Sequence, residues 1–367
     1  LPQRRTLEPR RGDSKITVDF KERYNLIKNK YAFFLTGSFW VILILTIFSC
    51  GPAYALDAKA LFEIGAGDKK SAVLEGFDLP PSFCAYEKYG AAAVLDAQQN
   101  RVCVYSFEGV MRSEIKLPFK MKAIDMAYFP SAGKLFLVFQ KSPAIGVIDV
   151  DLFAGKPRAV SSKIMDISEA AGSNTAMLQK IWPCGSADSN ECSFVINVAS
   201  GKNRNLSFRY AGEKLVSGPK IDPAITSAAA SPCAGLALGI DNSTGEAVLL
   251  THDIAADKVS KYILLKEFVP KSSGYGCRGC GVAGGDAGKN IYVEAFYSTS
   301  DENIKKAFVY RFSGLGRFTG RTEIFSSPEM FTNRYIFIDD AGNIFYMKND
   351  PKRAVISFYR FKISELN

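Results

Sequence analysis

The chain has 367 residues, a formal charge of +9 and a single histidine. One histidine cannot furnish the two or three imidazoles of a histidine-bound zinc, and it leaves His252 as the sole imidazole base available. The charge is unevenly placed. Residues 1–30 carry nine basic side chains against four acidic ones, while 56–367 carry 37 against 33. The basic surplus beyond residue 55 is small, and its adjacent basic pairs are isolated, Lys305-Lys306 and Lys352-Arg353 among them. Both read as solvated turns, and a nucleic-acid partner is not expected.

Tyr31 to Cys50, twenty residues without a charge, would span about 30 Å as a helix, the thickness of a bilayer's hydrocarbon core. The basic head predicts that the N-terminus stays inside. After Gly51-Pro52, Ala53-Tyr54-Ala55 has the small-x-small form of a signal-peptidase site, with cleavage after Ala55. The segment is therefore either a retained anchor or a cleaved signal. In both cases the predicted organisation is a basic cytoplasmic head (1–30), a transmembrane or signal segment (31–55) and an exported domain (56–367).

Beyond Ala55, short runs of Val, Ile, Phe and Tyr alternate with clusters of Gly, Asn, Asp and Ser, which predicts an all-β domain. Polar turns launch apolar strands at Asp96–Asn100 before Arg101–Tyr105, Ser131–Lys134 before Leu135–Phe139, Ala287–Asn290 before Ile291–Phe296, and Asp340–Asn343 before Ile344–Met347. Weaker copies fall at Ser193–Val198 and Leu236–Leu250. Six copies spaced roughly 48 residues apart predict a six-bladed β-propeller of four-stranded blades. A pair of β-sandwiches is the alternative. Asp166–Lys180 is the best helical stretch, and Gly172-Ser173-Asn174 limits it to a turn or two.

Leu61–Gly65, Phe77–Pro80, Ala93–Asp96, Asn100–Tyr105 and Glu108-Gly109 together resemble an NHL repeat, the unit of the NHL and related six-bladed propellers. The resemblance is good over 61–118, fair over 121–150 and 334–361, and poor over 151–270. It implies that the N-terminal strand, here Ala60–Ile64, completes the last blade beside the strands of 334–361. It implies little about function, because propellers host many. No Trp-Asp dipeptide occurs, which disfavours a WD-repeat propeller.

Seven cysteines follow Cys50, and export makes them disulfide candidates. Cys184 and Cys192 bracket a short polar loop, and Cys84 and Cys103 are expected on neighbouring strands, so each pair predicts a bridge. Cys277 and Cys280, two residues apart in a glycine-rich run, read as a structural pair, a redox disulfide tuned by Arg278, or half of a metal site. His252 reads as structural. Asp339-Asp340 reads as a turn, with a Ca²⁺ site as the alternative, and Asp149 and Asp151 are further channel carboxylate candidates. Asn205-Leu-Ser207 and Asn242-Ser-Thr244 are glycosylation sequons only in a eukaryotic secretory route.

Three functions fit. The first is an exported or membrane-anchored propeller that binds an envelope protein, glycan or small ligand at one face, without a cofactor. The second is a carboxylate- and metal-dependent hydrolase of lactonase or esterase type. The third is a thiol redox protein acting through Cys277 and Cys280.

Overall fold

A computed structural model describes residues 59–65, 82–184, 192–199, 205–218, 221, 229–231, 236–241, 248–253, 258–263, 275–299, 305–315, 317–325, 334–350, 353 and 355–363. Residues 31–55, with the apolar run and the cleavage position, lie outside that set. Among the described residues no helix is long and apolar enough to cross a membrane.

Among the described residues the strands, numbered β1–β24 in chain order, form six four-stranded antiparallel sheets. The first holds β2 (Ser82–Tyr86), β3 (Ala91–Asp96), β4 (Arg101–Ser106) and β5 (Met111–Lys116). The second holds β6 (Ala123–Phe129), β7 (Lys134–Phe139), β8 (Ala144–Asp149) and β9 (Ser161–Asp166). The third holds β10 (Leu178–Cys184), β11 (Cys192–Val198), β12 (Asn205–Ala211) and β13 (Lys214–Ser217). The fourth runs β14 (Ala229–Ser231), β15 (Leu236–Asp241), β16 (Val248–Asp253) and β17 (Lys258–Ile263). The fifth runs β18 (Tyr275–Gly285), β19 (Ile291–Thr299), β20 (Lys305–Phe312) and β21 (Phe318–Ile324). The last joins β22 (Ile336–Ile338), β23 (Ile344–Asp350) and β24 (Val355–Phe361) to β1 (Phe62–Gly65). The first strand of each sheet adjoins the first strand of the next, and β22 adjoins β2. The molecule is thus an all-β propeller with four-stranded blades, and no sandwich pairing is present among the described residues.

Position in the blade is written in burial. The inner strands β2 and β3 are buried at every position, whereas the outer β5 and β9 alternate half-buried with exposed residues. A strand covered on both faces needs a continuous apolar run, and an outer strand needs only every second residue. The core lies between adjacent blades, where Phe136 of β7 meets Phe194 of β11 with ring centroids 4.8 Å apart. α1 is a single turn, Ser168–Ala171, ended by Gly172 at φ +68°, as the interrupted pattern required.

The N-terminal strand closes the last blade. Phe62 sits opposite Phe358 in the β1–β24 register and stacks on it at 4.4 Å. Arg353 grips both carboxylate oxygens of Glu63 at 3.0 and 2.6 Å, and Ser357 donates to the same group. The Lys352-Arg353 pair is therefore not simply a solvated turn, since Arg353 helps to hold β1.

The polar turns do not all occupy one place in the blade. Asp286–Asn290, Asp339–Asn343 and Ser131–Lys134 join first strands to second, but Asp96–Asn100 joins β3 to β4, second to third. Arg101–Tyr105 is accordingly a third strand and out of phase with the other three runs. The same carboxylate-capped turn suits either hairpin, because it needs only a tight polar reversal.

Candidate functional site

Arg334, just before β22, reaches across the ring. Its Nη2 donates to Asp125 Oδ2 on β6 at 2.8 Å and to the Ile181 carbonyl on β10, while the Ile181 N–H donates to the same Oδ2 at 2.9 Å. Three blades meet at one ion pair. Asp125 is 0% exposed and Arg334 3%, so the pair is fully withdrawn from water. Two ions so placed have lost their hydration, and each depends on the other.

Trp182 lies beside the pair. The Arg334 guanidinium carbon is 4.5 Å from the ring centroid, and Lys180 Nζ is 5.5 Å from it. The indole N–H donates to Asn197 Oδ1 at 2.7 Å, and Asn197 Nδ2 donates to Asn205 Oδ1 at 2.7 Å, fixing the ring to its own blade. Asn205 is buried within this chain, so its sequon does not present an acceptor amide at the surface.

From the fifth blade comes Glu294, opposite Gly281 in the β18–β19 register. A Cβ at Gly281 would stand 3.1 Å from Glu294 Oε1, so the glycine lets this carboxyl lie across the innermost strand. Tyr335 donates its hydroxyl to Glu294 Oε2 at 2.5 Å. Burial raises the Glu294 pKa above the usual carboxylate value, against the opposing pull of Tyr335 and Lys180. Burial lowers the Lys180 pKa; Glu294 and Asp125 oppose this and Arg334 adds to it. The cluster therefore combines a sealed ion pair with two half-buried groups of opposite sign, both pushed towards neutrality.

Local backbone irregularity builds this arrangement. Register shifts separate Ala123 from Asp125 on β6 and Leu178 from Lys180 on β10, and two more interrupt β18. A bulge inserts a residue and re-aims the side chains after it. Sequence reasoning missed Asp125, Lys180, Glu294 and Arg334; the one relevant signal was Trp182, the sole tryptophan after residue 55.

The residues singled out from sequence lie elsewhere. Cys84, Cys103 and Cys192 are free, buried thiols, which corrects both expected bridges. Cys84 is on β2 and Cys103 on β4, with β3 between them, as Cys84 pairs with Ala93 and Cys103 with Val94. Two strand spacings amount to roughly 10 Å, beyond a disulfide's Cα reach of about 7 Å. Cys184 pairs with Ser193 in the backbone register, so Cys192 is one position out of register with it. Burial pushes all three described thiols up to about 12, where they are unreactive. Cys277 and Cys280 flank a register shift in β18, opposite Tyr297 and Ala295; their side chains lie outside the described set. His252 is a β16 position between Ala237 and Val259.

Asp339 is a turn carboxylate. It accepts the N–H groups of Ala341 and Asn343 at 3.1 and 2.8 Å, the Asn343 side-chain amide, and the Glu87 N–H of the neighbouring blade at 3.1 Å. Its lone pairs are directed at N–H donors. Among the described residues, no group of three or more His, Cys, Asp or Glu is placed to hold a metal ion. Asp149 pairs with Lys134 and accepts from Ser161, on β8 and away from the axial cluster. Asp151 accepts the Phe153 N–H at 3.3 Å.

No protein-family model matches the chain, and no curated protein matches its sequence. Solved structures do. A member of the DUF4221 family from Bacteroides vulgatus superposes with a TM-score of 0.50 at 11% identity, over 84% of this chain and 98% of that one. Regucalcin, a calcium-binding protein from Agrobacterium tumefaciens, gives 0.44 at 12% identity over 78% and 90%. Virginiamycin B lyase from Staphylococcus aureus gives 0.43 at 11% over 81% and 98%. At these identities the likeness is one of fold.

Proposed function

We propose that this chain is an NHL-like propeller of the cell envelope, exported by residues 31–55 and acting as a binding module whose ligand enters at the axial cluster. The carrying observation is the convergence of Asp125, Lys180, Glu294 and Arg334 from four blades beside Trp182, two of them sealed and two half-covered. The sealed pair fixes the frame. Lys180 and Glu294 supply a donor and an acceptor that a small polar ligand can address, in keeping with the few convergent polar groups of a binding site. The envelope location is supported by the charge asymmetry around the apolar run.

A thermal-shift screen of glycans and small polar metabolites on the full-length protein tests this. The expected result is a compound that raises Tm in the wild type and has no effect on Lys180→Met or Glu294→Gln. If every stabilising compound acts equally on both variants, the axial site is refuted.

A further inference from the structure

We propose that Lys180 is a carbonyl-capturing amine, forming a reversible imine with a small aldehyde or ketone that enters the axial cluster. The proposal rests on the axial-site reading above and gives it a ligand class.

Four features of the structure lead there. Lys180 sits on an innermost strand and is half-buried, so it is withdrawn from bulk water yet still reachable. A second cation, Arg334, is held against the same indole by partners on two blades and cannot swing away. Burial and a fixed like charge both disfavour the ammonium and leave more of the free amine, the nucleophilic form. The carboxylates of Glu294 and Asp125 act in the other direction without cancelling the effect. Glu294, whose charge is felt at Lys180, retains a proton more readily than an ordinary carboxyl and carries a hydroxyl donor in Tyr335.

The chemistry balances without a redox partner. The Lys180 nitrogen lone pair adds to the carbonyl carbon, the C=O electrons move to oxygen, and a proton passes from nitrogen to that oxygen to give a carbinolamine. The nitrogen then forms the C=N bond as the hydroxyl leaves. Glu294 in its protonated form gives the leaving hydroxyl its proton and recovers one from the iminium nitrogen, so one water is released per imine. Hydrolysis runs the same path backwards.

The test uses the full-length protein with propanal near neutral pH, and cyanoborohydride as the external hydride donor that traps the imine as a secondary amine. Peptide mass spectrometry reads the rate at each lysine. The expected result is adduct at Lys180 forming several-fold faster than at the exposed Lys116 and Lys141, as a larger share of free amine requires. The preference should vanish in denaturant, and Glu294→Gln should slow labelling at Lys180 while leaving Lys116 unchanged. Equal rates at the three lysines of the folded wild type overturn the proposal, and this comparison needs no variant. If Lys180 shows no preference while the screen yields a ligand whose effect is lost in Lys180→Met, imine formation falls and the axial site stands. If the screen also yields none, both fall.

Discussion

Glu294 shows how one residue can tie stability to pH. Its pKa in the fold lies above the ordinary 4.5 because burial penalises the charge. The folded protein therefore holds this proton more tightly than the unfolded chain. The resulting contribution is complete below 4.5 and is lost as pH rises through the raised value. Glu294→Gln removes it, so the Tm of the variant relative to wild type should rise as buffers are stepped upward from about pH 4 through neutrality. A constant difference across that range would mean that Glu294 holds its proton no more tightly in the fold than in the unfolded chain. The residue was not legible beforehand, because Ile291–Phe296 reads as one more apolar strand and only its pairing with Gly281 gives the carboxyl its path across β18.

At the level of elements, the carboxylate-capped turns join blades as well as reversing strands. Asp286 accepts from Asn290 and from the Tyr292 hydroxyl, Ala287 N–H donates to Asp340 O, and Gly342 carries φ +77° directly over that hydroxyl. A Cβ at 342 would run into the Tyr292 hydroxyl and lie 2.9 Å from Asp286 Oδ2. Gly342→Ala should thus combine a left-handed backbone cost of about 1–2 kcal/mol with overpacking of about 1–3 kcal/mol. Adding Tyr292→Phe removes the obstructing oxygen. The double variant should lose less than the sum of the two singles in chemical denaturation, and strict additivity would contradict the contact. These turns were readable from sequence because Asp, Gly and Asn advertise a reversal by their local chemistry. Which hairpin each one served was not readable: Asp96–Asn100 opens on Asp and closes on Asn between β3 and β4, as Asp339–Asn343 does between β22 and β23.

At the scale of the whole molecule, the Asp125–Arg334 pair fastens three blades across 209 residues of chain. Such a contact leaves no periodic trace, which is why the ring could be inferred from sequence and its axis could not. Arg334→Met strands a buried carboxylate and should cost about 3–5 kcal/mol, measured by urea unfolding. Asp125→Asn combined with Arg334→Met removes both charges while keeping an acceptor for the Ile181 N–H, and should recover most of that loss. A double variant as unstable as the single would show that Arg334 acts by filling space.

The closing strand bears on the order in which the chain is made. Glu63 leaves the ribosome early and waits for Ser357, 294 residues later, before β1 finds its place. Until then β24 has one bare edge and Phe358 lacks its stacking partner, so a nascent chain exposes an adhesive seam. Ring closure consequently waits on the last blade and is dominated by distant contacts, slow by topology. Any factor that shields an unpaired strand edge would be needed most in the interval between synthesis of β24 and the seating of Phe62.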